Sequence, residues 1–158
     1  MKKNFLLFVL LICSVLVFGQ VKFNTGSVEF DQDLGIINAN AKLDLKTFKL
    51  NTSVSHNLPI PKIEELLKIM EPAEIILAKD VADAVNKPID TVVASYKINK
   101  DKGWGVIAKE MGIKPGSSEF HALKGKTKKN KDTHGKSGEK GHGKEKEKSG
   151  GKGKAKKK

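Results

Sequence analysis

The chain is 158 residues long, enough for one domain, and its 30 basic residues against 18 acidic ones give a formal net charge of +12. All of the basic residues are lysine. Arginine, which binds phosphate and guanine through two parallel hydrogen bonds, is absent. The composition therefore argues against shape-specific phosphate recognition and favours diffuse electrostatic contacts.

The N-terminus has the layout of a secretory signal peptide. Two lysines precede an apolar run at 5–18, and Gly19 supplies a small residue for cleavage before Gln20. We predict a signal peptide at 1–19 and export to the periplasm or the exterior. A retained membrane anchor is the alternative, but a helix over 5–18 reaches only about 21 Å against a bilayer core of about 30 Å. Cleavage would remove Cys13, the only cysteine, and with it any disulfide or thiolate chemistry.

The positive charge is concentrated at the C-terminus. Residues 124–158 contain fifteen lysines and four acidic residues, a net of +11, whereas residues 20–123 have a net of −1. The C-terminal segment is rich in glycine and lacks aromatic and large aliphatic side chains. Because it cannot bury enough apolar area to offset the entropy of chain ordering, we predict a disordered, low-complexity tail at 124–158. The mature chain before it divides into a flexible lead at 20–30 and a helical domain at 31–123.

Helical periodicity begins after the lead. Between Asp31 and Val54, apolar residues recur every three or four positions, the spacing of one helix face. The inward set would be Leu34, Ile37, Ala41, Leu45, Phe48 and Thr52. We predict one long helix there, capped by Asp31 or Asp33. A strand over Lys42–Leu50 is the alternative, because alternation is also visible in that stretch.

Prolines mark the starts of the next three helices. Pro61, Pro72 and Pro88 each suit the first turn of a helix, where the missing N–H is not needed. We predict helices at 61–70, 72–85 and 88 to about 98. The inward set of the last one would be Ile89, Val92, Val93 and Tyr96.

Two shorter helices complete the expected domain. One runs over 104–111, with Gly112 as a left-handed stop. A turn at Pro115-Gly116 follows, and a last short helix runs over 119–123 with a serine cap. The fold class is therefore all-α: a small domain of about five helices plus a short terminal one, followed by a disordered tail.

The last third of the expected domain carries two resemblances. After a helix and a glycine-containing loop, residues 107–113 (IAKEMGI) are similar to the opening of a helix-turn-helix of the resolvase or homeodomain-like kind. The longer string GWGVIAKEMGIKPGSSEFHALK, residues 103–124, resembles a signature of small exported bacterial helical proteins that have no assigned activity. The first resemblance implies DNA binding. The second implies export and a helical fold without an activity.

DNA recognition would need polar or basic side chains on the segment after Ile113. That segment has Glu119, Phe120 and His121 and no arginine, and Pro115-Gly116 interrupts it. We therefore keep nucleic-acid binding through 88–123 as the alternative function.

The sequence contains no convincing active site. His56 and His121 are the only histidines of the expected domain, and they are far apart without metal-ligand spacing. We interpret His56 as a polar residue after the first helix. Asp80 and Asp83 have the spacing of the solvent-exposed face of a helix. We therefore predict that the protein is not an enzyme and has no metal and no cofactor.

The segment Gly103-Trp104-Gly105 is the most distinctive motif. Trp104 is the only tryptophan, and flanking glycines allow close backbone approach, so we expect a core anchor near Tyr96 and Phe120. An exposed ring that stacks on a sugar or a peptide is the alternative. A structural role is also expected for the other members of the motif: Gly112, Pro115, Gly116, Phe120 and His121.

The C-terminal lysines are the predicted binding residues. Many ammonium groups on a flexible chain attract polyanions, with an affinity that falls steeply as salt rises. The residues singled out are Lys124, Lys126, Lys128, Lys129, Lys131, Lys152, Lys154, Lys156, Lys157 and Lys158. The sequence favours a non-enzymatic exported module whose tail binds anionic envelope or extracellular polymers or lipid head groups. A tail that only solubilises the chain is the other interpretation.

Overall fold

The computed structural model describes residues 21–134, with side chains up to residue 132. This part of the chain is all-helical, so the predicted fold class is confirmed. Its helices are α1 (Val28–Leu43), α2 (Leu45–Ser55), α3 (Ile60–Leu66), α4 (Pro72–Ala84), α5 (Ile89–Asn99), α6 (Trp104–Glu110) and α7 (Ser118–His134), with a 3-10 turn at Lys100–Lys102. The predicted signal peptide and the tail beyond residue 134 lie outside the described residues.

Helix α4 lies at the centre of the bundle. Ten of its 13 residues are buried, and it packs against α1, α5 and α7. Helix α6 packs on α5, and α2 packs on α3. The rings of Phe30 in α1 and Phe120 in α7 meet edge to face at 5.9 Å between centroids, which joins the first and last helices across the core.

The single long helix expected from Asp31 to Val54 is wrong in its bounds, because α1 and α2 are separate helices. The chain breaks at Asp44, which has φ −143° and ψ 79°. The carboxylate of Asp44 accepts a 3.0 Å hydrogen bond from the backbone N–H of Thr47 and so caps α2. The break changes the inward register, which leaves Leu45 44% exposed although it was expected inside.

The predicted cap of the first helix is also wrong. Helix α1 begins three residues earlier than expected, and the hydroxyl of Ser27 accepts a hydrogen bond from the backbone N–H of Phe30. Asp33 is instead buried on the inward face. The strand alternative over Lys42–Leu50 is wrong, because this stretch is helical except at the break.

The proline-based starts agree with the structure. Pro61 lies in the first turn of α3, Pro72 is the first residue of α4, and Pro88 is the cap of α5. Helix α3 ends at Leu66, short of the expected residue 70, and turns follow it.

Three helices end on a residue with left-handed backbone. Asn57, Asn86 and Gly112 follow α2, α4 and α6 with φ of 48°, 51° and 99°. After α6, the N–H of Ile113 donates to the carbonyl of Ala108 at 2.8 Å, which satisfies a carbonyl that the helix end leaves open. The expected stop at Gly112 is therefore present, and asparagine serves the same purpose at the other two ends.

Both predicted domain boundaries need correction. The expected flexible lead is packed from residue 21 onward, with Phe23 only 1% exposed. At the other end, α7 continues to His134 instead of stopping at Leu123. Thr127 lies within the predicted tail, yet it is 1% exposed. The composition of 124–134 is too polar to predict this, because this half of α7 contacts the bundle through polar side chains, such as Lys131 with Asp33, and not through apolar ones.

Candidate functional site

The Gly103-Trp104-Gly105 segment holds the N-terminal segment at Phe23 and Asn24 through backbone hydrogen bonds. The N–H of Trp104 donates to the carbonyl of Phe23 at 2.7 Å, and that of Gly105 to the carbonyl of Asn24 at 2.9 Å. A Cβ on Gly103 would lie 2.3 Å from the Cβ of Asn24, and one on Gly105 would lie 3.0 Å from its carbonyl oxygen. Both glycines are therefore required by close approach.

The side chain of Trp104 is buried in a hydrogen-bonded cluster around Glu74. The indole N–H donates to Glu74 Oε1 at 3.1 Å, and the hydroxyl of Tyr96 donates to Oε2 at 2.8 Å. The backbone N–H of Glu71 donates to the same Oε2 at 2.9 Å. Burial, together with the hydrogen bond to Glu74, raises the pKa of Tyr96. The alternative of an exposed stacking ring is wrong, and sequence reasoning did not find the glutamate that binds the ring.

The remaining motif residues lie around the start of α7. Phe120 is buried, and His121 is exposed with its ring 6.3 Å from that of Phe120. Gly116 has a left-handed φ of 79° in the turn that Pro115 begins. The hydroxyl of Ser117 accepts a 3.2 Å hydrogen bond from the N–H of Phe120 and caps the helix. These residues therefore have structural roles: they form the turn, cap the helix and pack in the core.

A second polar cluster surrounds Asp80 in α4. This residue was expected on the solvent-exposed face and is instead 2% exposed, so that interpretation is wrong. His56, at the end of α2, places Nδ1 3.6 Å from Asp80 Oδ1. From α7, Lys126 Nζ lies 3.6 Å from Oδ1, and Asn130 Nδ2 lies 3.5 Å from Oδ2. The cluster thus joins three helices that are separate in sequence.

The environment of this cluster disfavours charge. Burial raises the pKa of Asp80 to about 6, although Lys126 opposes the shift. Burial also lowers the pKa of His56. Within the described chain, three buried polar atoms have no hydrogen-bond partner: Thr52 Oγ1, His56 Nε2 and Thr127 Oγ1. A buried acid with a shifted pKa, beside a histidine with an unsatisfied ring nitrogen, is a combination that functional sites share.

The cluster does not have the composition of a metal centre. Across residues 21–134, no group of three or more His, Cys, Asp or Glu side chains is placed to hold a metal ion. His56 and Asp80 are only two such groups, and the third charged neighbour is the cation Lys126. Asp80, whose pKa burial raises to about 6, can bind and release a proton in mildly acidic solution.

The structure divides the predicted lysines into two groups. Lys124, Lys126 and Lys131 pair with carboxylates of the bundle: Glu29 at 3.2 Å, Asp80 at 3.6 Å and Asp33 at 2.5 Å, respectively. Lys128 and Lys129 of α7 are exposed. The lysines from residue 152 onward lie outside the described residues.

A cavity beneath α7 is small and apolar. Phe30, Val81, Trp104 and Phe120 are among the residues that line its volume of about 10 Å³. This is about the space of one water molecule and far below the several hundred Å³ of small-molecule sites. In the described region, no helix has the length and apolar character needed to cross a bilayer.

The geometry around α7 differs from a helix-turn-helix. Residues 111–117 connect α6 to α7, which is longer than the turn of three or four residues in that motif. Phe120 and Leu123 in the first half of α7 are buried in the core. The chain matches no family model, no curated protein and no solved structure.

Proposed function

We propose that this protein is an exported, non-enzymatic helical module that binds anionic envelope or extracellular polymers, or lipid head groups, through its C-terminal lysines. The observation that carries the proposal is the segregation of charge. Residues 135–158 contain ten lysines and three acidic residues, a net of +7 on a segment rich in glycine. A chain of this charge attracts any polyanion with little demand on shape.

Helix α7 supports the proposal because it joins the domain to this segment. Its first half is fixed in the core by Phe120 and Leu123. Its second half carries the exposed Lys128 and Lys129 and is followed in the sequence by the ten lysines of 135–158. In this arrangement the bundle is a carrier, and the binding residues continue from its last helix.

The binding experiment compares two sets of five Lys→Gln substitutions in the full chain. The first set removes the last five lysines, Lys152, Lys154, Lys156, Lys157 and Lys158. The control set removes five exposed lysines of the domain, Lys68, Lys87, Lys97, Lys109 and Lys114. Both variants lose the same net charge. We expect the first set to weaken binding to heparin and to anionic vesicles by about tenfold or more, and the control set by much less.

Equal losses from the two sets would contradict the proposal, because binding would then follow net charge alone. Unchanged binding in the first variant would contradict it as well. Circular dichroism of each variant should match that of the unmodified chain. The five lysines of the control set are exposed in the described part of the chain.

Export is tested by sequencing the N-terminus of the protein recovered from cell fractions. We expect a chain that starts at Gln20 in the periplasmic or extracellular fraction. A cytosolic protein that starts at Met1 would contradict this part of the proposal. It would favour the nucleic-acid alternative, which is checked by competing heparin with duplex DNA of varied sequence.

A further inference from the structure

The inner side of α7 presents lysines to acidic side chains of the bundle. Lys124 pairs with Glu29 and Lys131 with Asp33, both on α1. Lys126 approaches Asp80 on α4. Each of the three lysines thus faces one carboxylate of the bundle. The helix therefore binds an anionic surface already, and that surface belongs to its own domain.

The two halves of α7 are held by different forces. The first half buries Phe120 and Leu123, and the edge-to-face contact of Phe120 with Phe30 fixes its direction. Beyond Leu123, the inward positions are polar: Thr127, whose hydroxyl has no partner in the described chain, and Asn130 at 3.5 Å from Asp80. Ion pairs near the surface contribute little each, and salt screens them. The second half can therefore leave the bundle at much lower cost than the first.

Asp80 is a weak partner for Lys126. The carboxylate is buried in surroundings that favour its neutral form, and Lys126 reaches it only at 3.6 Å with half of its own side chain exposed. A polymer with many sulfates or phosphates offers several fully ionised groups instead. The exchange of one anionic partner for another is favourable when the incoming anion is the stronger one.

We infer that the inner side of α7 is a second polyanion-binding site, formed by Lys124, Lys126 and Lys131, which the carboxylates of the bundle close in the free protein. This inference rests on the proposed function, because the tail must bring the polymer to the helix. Bound polymer displaces Glu29, Asp33 and Asp80 from the three lysines. The second half of α7 then joins the tail as one continuous cationic segment, so the domain limits the affinity of its own lysines.

The test removes the competing carboxylates and measures heparin affinity of the full chain. The variant is Glu29→Gln with Asp33→Asn. The matched control is Glu64→Gln with Asp90→Asn, because these two residues pair with Lys49 and Lys62, outside α7. Both doubles raise the net charge by the same amount. We expect the first to bind heparin about threefold tighter or more, and the control to change by less than about twofold.

A double-mutant cycle tests whether the gain in heparin affinity comes from the released lysines. In a chain with Lys124→Gln and Lys131→Gln, the substitutions at Glu29 and Asp33 should no longer increase the affinity. A gain that persists there would overturn the inference, as would equal gains from the two carboxylate doubles. If the double variant loses helical circular dichroism, Glu29→Gln alone, on an exposed side chain, is compared with Glu64→Gln under the same criteria.

The inference and the proposed function can fail independently in these experiments. If the five tail substitutions weaken heparin binding while the two carboxylate doubles behave alike, the tail binds polyanions and α7 has no closed site. If the tail substitutions change nothing, the proposed function itself fails.

Discussion

Two buried carboxylates of the same helix have opposite surroundings. Glu74 accepts three hydrogen bonds, from Trp104, Tyr96 and the backbone of Glu71, at 2.8–3.1 Å. Asp80, less than two turns further along α4, has its nearest partners at 3.5–3.6 Å, and the neighbouring His56 has an unsatisfied Nε2 in the described chain. A buried acid stabilises a fold only when its acceptor sites are filled.

The difference indicates what each cluster does. The Glu74 cluster fixes the single tryptophan, and the backbone of that residue holds the N-terminal segment. The Asp80 cluster joins α2 and α4 to the lysine-rich half of α7 with weak contacts. The first is a structural centre, and the second is a contact that a competing anion can open.

The largest effect is expected from breaking the Glu74 cluster. Glu74→Leu leaves the indole N–H of Trp104 and the hydroxyl of Tyr96 buried without an acceptor. We expect a loss of about 3 kcal/mol or more in the free energy of unfolding, measured by urea denaturation. Glu65→Leu, at an exposed position on α3, is the control and should change stability by less than about 0.5 kcal/mol. A similar small loss at Glu74 would show that the three hydrogen bonds do not hold the core.

The second effect has the opposite sign. Because the folded state raises the pKa of Asp80 from 3.8 to about 6, it favours the protonated acid, so the ionised group costs stability at pH 7. We expect Asp80→Asn to stabilise the fold by about 3 kcal/mol at pH 7. The gain should shrink as pH falls through 6 and vanish below about 4, where the acid is protonated in both states.

The control for this pH series is Asp83→Asn, since Asp83 is partly exposed and pairs with Lys79 on the same helix. Thermal unfolding of both variants between pH 4 and pH 8 gives the comparison. A destabilisation by Asp80→Asn that is equal at all pH values would show that the charge of Asp80 supports the fold.

The smallest effect concerns the unsatisfied hydroxyl of Thr52. Thr52→Val keeps the shape of the side chain and removes the buried oxygen, so we expect a gain of about 1 kcal/mol in the free energy of unfolding. Thr91→Val, exposed on α5, should change it by only a few tenths. A clear loss at Thr52 would mean that its hydroxyl has a partner in solution.

Local signals in the sequence predicted the middle of the fold well. Prolines near the starts of α3, α4 and α5 and the glycine after α6 act within one turn. The sequence alone therefore predicted where α3, α4 and α5 begin and where α6 ends. The break at Asp44 could not be predicted, because the apolar spacing continues through it. Only the cap contact between Asp44 and Thr47 shows that a new helix begins there.

The parts that were missed depend on contacts between distant residues. Asp80 has the spacing of an exposed charge, and only the approach of His56 and α7 buries it. The extension of α7 depends on pairs such as Lys131 with Asp33, which are far apart in sequence. The N-terminal segment is ordered by the backbone of Trp104 and Gly105, a contact that no periodicity encodes.

The most direct measurement of the central claim is heparin affinity as a function of NaCl concentration. It compares the full chain with a variant in which all ten lysines of 135–158 are glutamine. Each phosphate or sulfate contact adds to the slope of log affinity against log salt. We predict a steep negative slope for the unmodified chain and a much shallower one for the variant. Equal slopes would contradict the assignment of polyanion binding to the C-terminal lysines.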